Sequence, residues 1–200
     1  MTKSRILVVA TANELKLLEL ERLLGGLDLT LVAMGQLGLA PPVEDGDTFE
    51  DNALLKARAA AIASDRPAMA DDSGLEVDAL DGAPGVRSAR WAGAHGDDRV
   101  NNDKLLAELV SVPDEERTAR FVSAVAIVTP GGREWVVRGT MEGHILQAPD
   151  GNGGFGYDPL FVTDGETVSN GRLSPEDKDR LSHRGVAMRR IRPVLDDLFG

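Results

Sequence analysis

An α/β fold built on a mixed β-sheet is predicted by three features of this 200-residue chain. A short β-branched run, RILVVA at residues 5–10, passes through a tight turn into a leucine-rich helical pattern. An alanine-rich segment, residues 52–64, is the best helix candidate in the chain. Two long apolar runs, residues 118–129 and 133–146, flank Pro130-Gly131-Gly132, a hairpin signal. An antiparallel pair that follows strand–helix units makes the sheet mixed in direction.

The elements follow in order. Residues 5–10 read as a buried strand. From Glu14 the leucines at 17, 18, 20, 23 and 24 recur at helical spacing until Gly25-Gly26 stops them. A strand–turn–helix unit of this kind aims backbone N–H groups and the helix N-terminus at whatever lies above the strand, and anions bind there readily. Lys16 sits in that first turn, where a cation opposes the helix dipole unless it has an anionic partner; taken alone it reads as a solvated surface lysine. Residues 28–33 read as a second strand, and residues 35–47 as a loop, because Pro41-Pro42 forbids both helix and central strand. The loop ends in acidic residues Glu44, Asp45 and Asp47. Thr48-Phe49-Glu50-Asp51 has the capping-box pattern and leads into the alanine-rich helix, with Lys56 one turn beyond Asn52 on the same face.

The tract AMADDSGLEVDALDGAPGVRSARWAG, residues 68–93, is explained least by packing. Asp71 and Asp72 are adjacent, and two carboxylates held together become favourable only with a cation, a proton or backbone donors between them. A divalent-metal site is one reading. An Asx-type turn between two strands is the other, and the better one for the tract by itself. Residues 97–110 read as an amphipathic helix with Val100, Leu105, Leu106 and Leu109 inward. The loop PDGNGGFG, residues 149–156, leads to Tyr157-Asp158-Pro159. Its Phe155, flanked by glycines, either plugs the core or offers its face to something flat such as a base, and loop composition leaves these even. Ser174-Pro175 opens a short helix carrying Lys178. His183 and Arg184 start the last helix, where positive charge is unfavourable unless an acceptor is nearby; a lone His is more often structural, but the pair favours a ligand contact.

Composition bounds the function. With 42% hydrophobic residues the chain supports one compact domain over residues 1–200, and the absence of cysteine excludes thiol nucleophiles, disulfides and Cys-type zinc sites. A net charge of −11 argues against a nucleic-acid or anionic-membrane surface but leaves room for a small polyanion held by local lysines and Mg²⁺. The six-residue apolar run at residues 6–11 is too short for a signal or a membrane span, so the expected location is cytoplasmic.

Five blocks, ATAN..K, EDGDTFEDNALLKA, ADDSGLEVDALDGAPGVRSARWAG, GGFGYDPLF and SPEDKDRLSHRG, appear in this order over nearly the whole chain. Together they resemble the inosine triphosphate pyrophosphatase family. The resemblance implies an elongated mixed β-sheet flanked by helices, in two lobes with a central active-site cleft, and a homodimer. It also implies Mg²⁺-dependent cleavage of non-standard purine nucleoside triphosphates (ITP, dITP, XTP) to the monophosphate and pyrophosphate. By the same resemblance, Glu44 and Asp72 are metal ligands, Asp72 is also the general base, and Asp71 is a supporting carboxylate. Thr11, Ala12, Asn13, Glu14, Leu15 and Lys16 form a triphosphate-binding turn, joined by Lys56 and Ser73. Phe155 stacks on the base, and Gly156, Tyr157, Asp158, Lys178, His183 and Arg184 complete the substrate-binding set. Ala12, Val43 and Gly171-Arg172-Leu173 depart from the family's pattern. A Maf-type pyrimidine triphosphate pyrophosphatase and a nucleotide-binding module without turnover are the alternatives; the SHR block speaks against the first, and a carboxylate placed as a base beside the metal against the second.

Overall fold

The computed structural model describes residues 5–11, 13–93 and 97–200; Ala12, one of the residues expected in the phosphate-binding turn, lies outside them. The strands are β1 (Ile6–Val9), β2 (Thr30–Ala33), β3 (Ala68–Val77), β4 (Thr118–Val128), β5 (Glu134–Ile145) and β6 (Phe161–Thr163). The helices are α1 (Glu14–Leu24), α2 (Phe49–Ser64), α3 (Asp98–Glu108), α4 (Pro175–Leu181) and α5 (His183–Phe199). The six strands form one sheet in the order β2-β1-β3-β4-β5-β6. It is mixed as expected: β1 runs parallel to β2 and β3, while β6 pairs antiparallel with β5.

Residues 1–72, 123–139 and 184–200 make one compact unit, and residues 73–122 and 140–183 a second. In the first unit the core gathers Leu7 and Val9 of β1, Leu20 and Leu24 of α1, Met69 of β3, Val125 and Ile127 of β4, and Met188, Ile191 and Leu195 of α5. In the second, Leu75 and Val77, Leu105 and Leu109, Phe121, Met141, Ile145, Tyr157, Leu160 and Phe161 pack together. These residues carry the helical and strand periodicities that bury one face of each element. Val100 departs from its expected inward position: it is 37% exposed, and the buried face of α3 is made by Leu105 with the amides Asn101 and Asn102.

The helix starts are set by side-chain caps, as the sequence implies. Asn13 accepts from the amides of Leu15 and Lys16, Thr48 from Asp51, and Ser174 from Asp177. The largest departure concerns β3. Asp71 and Asp72 lie inside this ten-residue strand and not on a turn. The turn composition of DDSG is overridden because the strand is buried along almost its whole length, and its parallel partner β1 fixes the register from Val8 opposite Ala68.

Close packing within the second unit yields a direct test. A Cβ at Gly143 would lie 2.1 Å from the carbonyl oxygen of Val162 and 2.7 Å from the Phe161 ring. Gly143→Ala is therefore expected to destabilise the protein by about 3 kcal/mol, the cost of forcing strands and a core ring apart. A chemical-denaturation midpoint equal to wild type would contradict this packing.

Candidate functional site

Successive side chains of a strand point to opposite faces, so Asp71 and Asp72 make their direct contacts with different cations. Each has its own. Asp71, 4% exposed, accepts from Arg184 Nε at 3.1 Å, from Lys16 Nζ at 3.1 Å and from Ser123 Oγ at 3.3 Å. Arg184, 1% exposed, also donates to Glu19. Burial by itself would push the Asp71 carboxyl up, but Arg184 and Lys16 outweigh it and hold the group well below the usual carboxylate range. Burial lowers the Lys16 ammonium in turn, against the pull of Asp71.

Asp72 faces α2. Lys56 Nζ lies 2.7 Å from Asp72 Oδ1 and 3.3 Å from Glu44 Oε1, so one ammonium bridges the two carboxylates expected to hold a metal. Asn52 Nδ2 donates to Asp72 Oδ2 at 3.3 Å, and its Oδ1 accepts from the amide of Gly46 at 2.9 Å. This amide thereby ties the acidic loop to the strand. Burial, reinforced by Glu44, raises the Asp72 carboxyl despite Lys56. Lys56 itself is raised because Asp72 and Glu44 overcome its desolvation. Two neighbouring residues of one strand are thus shifted in opposite directions.

The two faces carry different ion pairs. Asp71 pairs with Arg184 and Lys16, and Arg184 also pairs with Glu19. Around Asp72, two carboxylates (Asp72, Glu44) meet one cation (Lys56). These three groups sum to one formal negative charge, with Asp72 buried and Glu44 half-exposed, which favours the arrival of a further cation. Carboxylate oxygens are hard donors suited to Mg²⁺, which takes one or two protein carboxylates and completes its shell with water and phosphate oxygens. The donor set therefore fits a divalent ion. Among the described residues no cluster of three or more His, Cys, Asp or Glu side chains forms a self-sufficient metal cage.

In the first unit the opening turn is closed on itself: Thr11 Oγ1 accepts from the Asn13 amide, and Asn13 Oδ1 from those of Leu15 and Lys16. Glu14 and Leu15 are exposed there, and Ser73, next to Asp72 in β3, is half-buried. Lys16 is a partner of Asp71 and not the freely solvated lysine that its position alone suggested.

In the second unit, Phe155 is half-buried and stands outside the core cluster. Its amide donates to Asp158 Oδ2 at 2.8 Å, and Lys178 Nζ lies 4.5 Å from its ring centroid while donating to the same Asp158 oxygen at 2.6 Å. Gly154 and Gly156 have φ of +72° and +63°, which glycine adopts without strain. Tyr157 belongs to the core, and its hydroxyl donates to the Ser88 carbonyl at 2.9 Å. Burial and the charge of Asp98 push that phenol's pKa up. His183 stacks on Phe121 with centroids 5.0 Å apart. Tyr157, Asp158 and His183 each contact the loop or its surroundings. The sequence reading had not assigned roles to Asn52, Ser123 and Glu19. The only local signal was for the first, an amide one turn before Lys56 on the face of an alanine-rich helix.

The depressed Asp71 carboxyl fixes the sign of an acid effect. Its folded pKa lies below its unfolded value of about 4, so its contribution is present above pH 4 and is lost as pH falls further. Asp71→Asn leaves Arg184 and Lys16 under-compensated and should cost about 3–5 kcal/mol near neutrality. The deficit should shrink below pH 4 in denaturation curves; a deficit independent of pH would contradict this assignment.

The Ham1 family pattern matches residues 7–194. The chain is 55% identical over 199 residues to the dITP/XTP pyrophosphatase of Nocardia farcinica, covering 98% of this chain and 96% of that protein. It is 49% identical over 197 residues to the dITP/XTP pyrophosphatase of Streptomyces coelicolor, covering 97% and 98%. A solved HAM1 protein from Coxiella burnetii superimposes with a TM-score of 0.88 at 36% identity, over 96% of this chain and 98% of that one. With a match of this length in sequence and in fold, the chain belongs to the Ham1 family.

Proposed function

We propose that this protein hydrolyses non-standard purine nucleoside triphosphates, of the ITP, dITP and XTP type, to the nucleoside monophosphate and pyrophosphate. The relatives named dITP/XTP pyrophosphatase support the substrate class. The observation that carries the mechanism is the convergence of Glu44 and Asp72 on a single ammonium with one negative charge left over. Mg²⁺ held by these two carboxylates would supply charge neutralisation to the triphosphate and polarise its phosphoryl oxygens.

The chain's own residues do the rest. Asp72 accepts the proton of the attacking water, most directly at Oδ2, whose 3.3 Å bond from Asn52 is the weaker of its two contacts. Burial raises its pKa, which makes it a stronger base than an ordinary aspartate. Lys56 and Lys16 offset phosphate charge. As the α–β anhydride breaks, the excess charge passes to pyrophosphate, which these cations stabilise. Phe155 gives the base a flat partner, and donors at the 6-oxo edge favour hypoxanthine and xanthine over adenine, whose amino group would leave them unpaired. No described helix is long and apolar enough to cross a membrane. A homodimer working on the cytoplasmic nucleotide pool completes the reading.

Pyrophosphate release measured on a panel of ITP, XTP, GTP, ATP and a pyrimidine triphosphate, with and without Mg²⁺, tests this directly. Turnover should be rapid for ITP and XTP, much slower for ATP and GTP, and lost on chelation. Equal purine rates would remove the specificity, preference for the pyrimidine would point to Maf-type chemistry, and binding without release would leave a nucleotide-binding module.

Asp72→Asn keeps the shape of the side chain but removes its basicity, so kcat should fall by at least about 100-fold. The folded state should persist, because neutralising a desolvated carboxyl removes a burial cost that partly offsets the lost pairing with Lys56. Near-wild-type turnover would mean that another group takes the proton.

A further inference from the structure

Asp98 and Asn102 stand one turn apart on one face of α3, and between them they hold both polar groups of Gly156. Asp98 Oδ2 accepts from the Gly156 N–H at 2.6 Å, and Asn102 Nδ2 donates to the Gly156 carbonyl at 3.1 Å. Two side chains here do what a neighbouring strand does for a residue in a sheet. On the other side of Phe155, its own amide is fixed by Asp158. The backbone that aims the Phe155 ring is therefore tied down at both ends.

The helix that supplies the grip is itself anchored. Asn101 accepts from the Ala92 amide at 2.8 Å, Lys104 Nζ donates to the Trp91 carbonyl at 2.8 Å and lies 4.0 Å from the Trp91 ring centroid, and Leu105 is fully buried. Asn102 is only 8% exposed, and its Oδ1 has no hydrogen-bond partner. A buried amide with an idle acceptor costs stability relative to an apolar side chain of similar size. Packing alone would favour leucine at this position; what the amide adds is its donor to Gly156.

We propose that Asp98, seconded by Asn102, is a positioning residue that fixes the Phe155 ring for the nucleobase, and so governs KM and base discrimination rather than the chemical step. This rests on Phe155 being the platform for the base. Loss of a charge-assisted hydrogen bond corresponds to a change of about tenfold.

The experiment is steady-state kinetics with ITP and GTP on Asp98→Ala, Asp98→Asn, Asn102→Leu, Phe155→Ala and the Asp98→Ala/Phe155→Ala double variant, each with its melting temperature. Asp98→Ala should raise KM for ITP about tenfold with kcat within twofold of wild type, and should narrow the gap between ITP and GTP. Asp98→Asn should recover most of the loss, since its amide oxygen still accepts. Asn102→Leu should raise KM severalfold with an unchanged or higher melting temperature. In the double variant, Asp98→Ala should add nothing to Phe155→Ala. An unchanged KM in Asp98→Ala, a full further tenfold in the double variant, or a fall in kcat that tracks melting temperature would overturn the proposal. If Asp98→Ala does not fold, an unchanged KM in Asn102→Leu overturns it. An unchanged KM in Phe155→Ala removes the base-platform reading itself, and the proposal with it, and is distinct from those results.

Discussion

The two-residue period of strand β3 is the constraint on which the rest of the site depends. It sends two adjacent carboxylates to opposite faces of a buried strand, so each must find a cation in a different direction. Asp71 finds Arg184, brought from 113 residues away, and Lys16 from α1. Asp72 finds Lys56 from α2. Were the pair on a turn, the two charges would compete for one partner, and neither the depressed pKa of Asp71 nor the raised one of Asp72 would arise. The order of these elements along the chain then matters less than their assignment to faces.

The two faces are built for different tasks. On the Asp71 side a guanidinium and an ammonium face buried carboxylates, and Arg184 is almost completely enclosed. A buried network whose members are mutually satisfied holds one geometry, because moving any member strands a charge. The Asp72 side is unbalanced, and Glu44, at 36% side-chain exposure, comes from a loop rather than from the sheet. Such a group accommodates an incoming cation and polyanion together. Asn52 limits its freedom by hydrogen bonding to Gly46 and Asp72 at once, and the close approach is possible because a Cβ at Gly46 would lie 2.8 Å from the Asn52 oxygen.

Much of this was legible in the sequence because helix and strand signals are local. The caps at Asn13, Thr48 and Ser174, the alanine-rich helix and the hairpin at Pro130-Gly131-Gly132 all follow from spacing over a few residues. The sequence also showed that Arg184 needed an acceptor, since a cation at a helix start opposes the dipole. It could not show which one, because Asp71 and Glu19 reach it only through the fold. The same limit explains the misplacement of Asp71-Asp72 on a turn: Asp, Ser and Gly carry a strong local turn preference, and it is overridden by burial of a strand that lies between β1 and β4 in the sheet. Val100 failed for a related reason, since on α3 amides share the inward face with leucines, and an apolar-only reading rotates the helix.

The opening turn shows how a local signal can be correct in geometry and incomplete in chemistry. Strand β1 does deliver the chain to the N-terminus of α1, where free amides would receive an anion. Yet a helix start leaves about four amides without partners, and three of those at this one are taken by Thr11 and Asn13 side chains. A phosphate arriving here would have to displace Asn13 Oδ1 to use the Leu15 and Lys16 amides. The aligned peptide dipoles still favour negative charge at this point, while the amides of Leu15 and Lys16 are already engaged by Asn13. Lys56, buried between two carboxylates, is the lysine that a second cation arriving at Glu44 and Asp72 would release from its partners.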